Sequence, residues 1–148
     1  KRNVLPGSAT LRGDARALNY KVNKTIEYRM KKIVEGICIS HGIEAEVIYE
    51  TIFPPVINSS EPVLAAKCAA NNLVGSNAVD SDCAPKLFSE DFAYMSEAKP
   101  GCFILMGNGS EGSHAQPLHS SDYDFNDDVL SIGSSFWVKL VEQELSES

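Results

Sequence analysis

Between Ser8 and Ala17 small or apolar residues (Ala9, Leu11, Gly13, Ala15, Ala17) alternate with Thr10, Arg12, Asp14 and Arg16, a period of two that predicts a half-buried strand. The preceding residues, Lys1 to Gly7, read as a turn leading into it. After Asn23, a good helix cap, the period changes: Ile26, Met30, Ile33, Val34 and Ile37 recur at helical spacing, and Glu27, Arg29, Lys31, Lys32 and Glu35 fill the opposite face. Gly42 is a natural stop. Alternation returns in Ile43, Ala45, Val47 and Tyr49 and ends at Pro54-Pro55, because proline cannot donate to a ladder. The first part of the chain is therefore expected to run strand, helix, strand.

The prolines and Asn58-Ser59-Ser60 form a plausible hinge. Beyond it, Ser60 is placed to cap a helix with Pro62 in its first turn, Leu64, Ala65, Cys68, Ala69 and Leu73 facing inward, and Gly75 past its end. Ser89 is expected to head a short helix with Glu90 and Asp91 at its N-terminus. The apolar run from Gly101 to Gly107 suits a strand buried on both faces. Residues 108–116 are too polar for core and read as loop, and a last helix capped near Asn126 carries Val129, Leu130, Ile132, Phe136, Trp137, Leu140 and Val141. The class this implies is α/β or mixed.

Composition narrows the functions open to such a chain. An apolar fraction of 43% over 148 residues is enough for a core. The formal net charge of −7 would repel phosphate backbones and anionic headgroups, so neither nucleic acid nor a membrane surface is an expected partner. No apolar run approaches the ~20 residues that span a bilayer. The four cysteines, at 38, 68, 83 and 102, contain no C-x-x-C clip and read as reduced thiols of a cytoplasmic chain.

Candidate chemistry is sparse. His41 falls in the last turn of the first helix, where a cation complements the dipole. His114 lies in the glycine-rich loop and reads as solvated. His119 follows the apolar run and precedes the acidic, aromatic stretch Asp122 to Asp128, at the place where sites gather in open α/β sheets. It reads as either a ligand or a solvated loop residue. Glu90 and Asp91 have a sufficient structural role at a helix start, and no G-x-S-x-G elbow or Walker or Rossmann spacing occurs.

Taken in order, Asn3-Val4-Leu5-Pro6, Gly13-Asp14-Ala15-Arg16, Ser89-Glu90-Asp91-Phe92, Pro100-Gly101-Cys102-Phe103, Gly107-Asn108-Gly109 and Leu118-His119 followed by Tyr123-Asp124-Phe125-Asn126-Asp127 form a pattern. It resembles the hippurate hydrolases, N-acyl-amino-acid amidohydrolases and indole-acetyl-amino-acid hydrolases, within the dinuclear-metal aminoacylases and peptidases. The resemblance implies the second β-α-β half of a ferredoxin-like lid (dimerisation) domain over residues 1–57. It implies the C-terminal part of an α/β metallopeptidase-like catalytic domain over 58–148. It also implies hydrolysis of small N-acyl amino acids to a carboxylic acid and an amino acid, with two divalent ions (Zn, Mn or Co) and a glutamate base.

Of the family's metal ligands only the last histidine falls within this sequence, at His119; the others precede Lys1 in family order. The chain alone is thus expected to be inactive and to lack a complete metal site. Arg16 is a candidate for the substrate carboxylate, since its planar fork suits that partner. Asn108 and Gly109 are candidates for the floor of the substrate site. Half a lid leaves a sheet edge and apolar surface open, so association between copies is expected. The rival expectation is a stand-alone, non-catalytic dimerisation or binding module.

Overall fold

A computed structural model describes residues 3–145, so the first two residues of the expected opening turn, Lys1 and Arg2, lie outside the described residues. Among the described residues four α-helices follow one another: α1 (Tyr20–His41), α2 (Ser60–Val74), α3 (Phe92–Ala98) and α4 (Leu130–Glu144). Short 3-10 turns occupy Ser76–Ala78, Gly112–Ala115 and Asp127–Val129. The chain divides into two compact units, one of residues 1–55 with 86–89 and the other of 56–85 with 90–148.

In the first unit α1 starts earlier than its apolar spacing suggests. Asn19, not Asn23, is the cap: its backbone is extended (φ −154°, ψ 159°) and its side chain accepts from the Val22 N–H at 2.9 Å. Asn23 lies inside the first turn and accepts a hydrogen bond from the Tyr49 hydroxyl at 3.1 Å. The helix ends as expected at Gly42, whose φ of 63° is the left-handed conformation that glycine tolerates and whose N–H returns to the Cys38 carbonyl. On the solvent face Glu27 bridges Lys31 at 2.7 Å and Lys24 at 3.1 Å. Hydrogen bonds from Lys31 and then Lys24 hold its carboxyl below the usual range.

The second unit is organised by α2 against α4. Ala66 and Ala69 of α2 and Phe136 of α4 form the buried cluster, with Ala70, Leu73, Cys102 and Leu140 packed around it. Small side chains on α2 admit the Phe136 ring, and Gln143 of α4 donates to the Ala65 carbonyl at 3.2 Å. The N-caps are shifted by one residue or more from expectation. α2 is capped at Ser59 rather than Ser60, and α3 begins at Phe92 after Asp91, neither with a side-chain capping bond. Asn126 does cap, but over the 3-10 turn that leads into α4, accepting from the Asp128 N–H at 3.1 Å.

The three expected strands do not form. Among the described residues, 8–17, 43–49 and 101–107 carry no strand ladder. The physical reason is that a helix satisfies its backbone within its own segment, whereas a strand needs a neighbour about 4.8 Å away. The nearest approach to pairing is made by a side chain. The Asn58 amide donates to the Phe103 carbonyl at 3.0 Å and accepts from the Phe103 N–H at 2.9 Å, while the Ser59 N–H donates to the Gly101 carbonyl at 2.8 Å. Nor is the 101–107 run buried on both faces, since Ile104, Leu105 and Met106 are each about half exposed.

Burial is limited throughout. Pro54, Ala66, Ala69, Ala93 and Phe136 are the buried positions among the described residues. α1 has no buried residue, so Met30, Ile33 and Ile37 of its apolar face are exposed. Helix α4 is apolar on two sides: Phe136 and Leu140 face α2, while Trp137, Val138 and Val141 are exposed. Apolar surface of this kind is ordinarily covered by further structure or a partner.

Candidate functional site

The loop from Gly107 to Asn126 contains the one non-glycine residue at positive φ among the described residues, His119 at 68°. It sits at the third position of a turn closed by the Ser120 N–H on the Pro117 carbonyl (3.1 Å), where a type II turn requires positive φ. A second turn follows at once, from the Tyr123 N–H to the Ser120 carbonyl, and the Ser120 hydroxyl accepts from the Asp122 N–H at 3.2 Å. A β-carbon in this conformation is strained, and such strain persists only where the surroundings impose it. The His119 ring is exposed and takes no part in the hydrogen bonds that shape the loop.

Asn108 imposes that shape. Its amide nitrogen donates to the carbonyls of His114 (3.1 Å) and Asp124 (2.8 Å), and its oxygen accepts from the Asn126 N–H at 2.8 Å. Both amide hydrogens and the oxygen are thus engaged by the loop backbone on either side of His119. Gly109 lies against the same loop: at φ 143° a β-carbon there would come within 3.0 Å of the His114 Cβ. The His114 ring in turn places Nδ1 3.3 Å from the Asp124 carbonyl and 3.5 Å from its carboxylate. This network was missed in reading His114 as solvated; the glycine beside Asn108 is the only local signal of it.

Elsewhere, Arg16 is exposed in the first unit. Its Nη1 donates to the Leu87 carbonyl at 3.0 Å and to the Ser89 hydroxyl at 3.4 Å. These neutral acceptors tether the guanidinium without neutralising it. Cys102 is half-buried against the Ala66–Ala69–Phe136 cluster, and desolvation pushes its thiol above the ordinary 9.0, which disfavours the thiolate a metal would need. His41 ends α1, its Nδ1 within 3.1 Å of the Ile37 carbonyl. Among the described residues no three His, Cys, Asp or Glu side chains are grouped so as to hold a metal ion. The donors present do not by themselves compose a metal site. No described helix is long and apolar enough to cross a membrane.

The model of peptidase family M20/M25/M40 matches residues 7–143, from before Arg16 to beyond the His119 loop. The chain belongs to this family. Among its curated relatives, hippurate hydrolase of Campylobacter jejuni is 30% identical over 138 residues, 93% of this chain and 35% of that protein. An IAA-amino acid hydrolase of Arabidopsis thaliana is 30% identical over 98% of this chain and 33% of its own length. N-acetylcysteine deacetylase of Bacillus subtilis is 30% identical over 93% of this chain and 34% of its own. The M20 chain described here thus spans about a third of the length of these relatives. No solved structure matches it significantly.

Proposed function

We propose that this M20 chain is the C-terminal part of a cytoplasmic, metal-dependent amidohydrolase that cleaves small N-acyl amino acids to a carboxylic acid and an amino acid. In this reading His119 donates one imidazole to a dinuclear centre whose other ligands and glutamate base come from polypeptide outside this sequence. The observation that carries it is conformational. Among the described residues, the one with a β-carbon held at positive φ is the histidine that the family resemblance singles out, and it is exposed on a braced loop. Support comes also from the apolar surface on α1 and α4, which a larger core would cover.

The ions, when bound, would supply Lewis-acid polarisation of the scissile carbonyl. The chain's own residues hold and orient. His119 offers a ring nitrogen, and Asn108 and Gly109 shape the floor of the substrate site. Arg16, held in the first unit by neutral acceptors, is proposed separately as a group for a substrate carboxylate. Residues 1–57 are read as part of a lid (dimerisation) domain and residues 58–148 as the end of the catalytic domain.

By itself the 148-residue chain is expected to show no turnover of hippurate with added Zn²⁺, Mn²⁺ or Co²⁺. Metal-dependent hydrolysis by that purified chain would refute the reading. The exposed apolar faces are also expected to drive copies together, so sedimentation should show species heavier than the 16.1 kDa monomer. A single monomeric boundary at micromolar concentration would count against that association.

A further inference from the structure

His114 enters neither the family pattern nor the reading above, yet it stands where the two flanks of the His119 turn meet. Its Nδ1 faces two oxygens of Asp124, the carbonyl at 3.3 Å and the carboxylate at 3.5 Å, across ten positions of sequence. Both are acceptors, so the favourable arrangement puts a hydrogen on Nδ1. Free imidazole has no such constraint. The same two residues are joined a second time through their carbonyls, which share the Asn108 amide nitrogen at 3.1 and 2.8 Å. His114 is further pressed against Gly109, where only a missing side chain leaves room for its Cβ. Asn108, His114 and Asp124 therefore form a closed brace, and the positive-φ residue lies inside the span it closes.

We infer that His114 is a positioning residue: its imidazole, fixed by Asp124 in the Nδ1–H tautomer, closes the loop and holds His119 in its left-handed conformation. The functional consequence rests on the reading of His119 as a ligand; the brace itself does not. Without the ring bond the two flanks remain tied only through Asn108, and the strained turn is free to relax to negative φ.

The test uses the whole 148-residue chain and three nuclear magnetic resonance readouts. In the unsubstituted chain, long-range proton–nitrogen correlations of the His114 ring are expected to show a protonated Nδ1. In His114→Ala the three-bond HN–Hα coupling and the Cα shift of His119 should move away from left-handed values. Amide exchange at Ser120 and Tyr123 should quicken roughly five- to tenfold, the factor one ordinary hydrogen bond supplies. His114→Asn, which keeps a donor nitrogen near the place of Nδ1, should restore most of both; a residue that merely fills space would not be rescued in this way. A His114 ring with no proton on Nδ1 overturns the inference, as does a His119 conformation indifferent to His114→Ala or unrescued by His114→Asn. The tautomer measurement needs no variant, so misfolding of one does not shield the proposal. Because no arm uses metal or substrate, failure of the metal reading would show separately.

Discussion

Replacing Asn108 by alanine is expected to open the loop around His119 and to lower the stability of the second unit by about 2 kcal/mol. The side chain serves three backbone groups: the carbonyls of His114 and Asp124 and the N–H of Asn126. Two of these bonds are part-buried and one is exposed. A net value of about 1 kcal/mol for each part-buried bond, and little for the one that water can replace, gives that figure. Asn108→Asp should be no better than alanine. It keeps an acceptor for Asn126 but turns a second carboxylate oxygen toward two carbonyl oxygens. Urea denaturation measures the stability, and amide exchange at Asn126 reports the loop locally. A rescue by aspartate would mean that the amide nitrogen is not what holds the loop.

The role of Asn108 also shows what the sequence hides. Its three partners lie 6, 16 and 18 positions further along, and no periodicity links a side chain to backbone groups at those separations. Helices were legible because their hydrogen bonds are local. The spacing of Ile26, Met30 and Ile33 and the stop at Gly42 place α1 without knowledge of anything else in the chain. Its start was misplaced because Asn19 and Asn23 are both competent caps, and only the extended backbone at Asn19 decides between them. Alternation from Ser8 to Ala17 and from Ile43 to Tyr49 states which side chains would share a face, but not where a partner strand would come from. Among the described residues none is supplied. His119 was legible as chemistry through the motif that surrounds it, whereas its positive φ was not, since histidine only modestly favours that conformation where glycine adopts it freely.

The second large effect is expected in the core. Phe136 is the one large side chain among the buried residues described, and it fills the space that Ala66 and Ala69 leave on α2. Truncation to alanine removes the ring around which Ala70, Leu73, Cys102 and Leu140 pack and leaves a gap between α2 and α4. Phe→Ala substitutions in cores cost about 3–5 kcal/mol, and a core this open to solvent should fall near about 3 kcal/mol. A neighbouring residue provides the contrast. Trp137 is larger and packs edge-on to Phe136 at 5.3 Å, but it is 63% exposed. Trp137→Ala should therefore cost about 1 kcal/mol or less in the isolated chain, in keeping with the worth of an aromatic pair. If Trp137→Ala proved the more damaging, the α2–α4 packing described here would be wrong.

Everything proposed about activity depends on the imidazole of His119 reaching a metal ion. The direct measurement is metal content by elemental analysis of the longer M20 protein proposed above, with and without His119→Ala, after removal of loosely bound ions. The reading predicts that the unsubstituted protein retains two divalent ions per chain and that His119→Ala retains at least one fewer while staying folded. Equal metal content in the two proteins would contradict it.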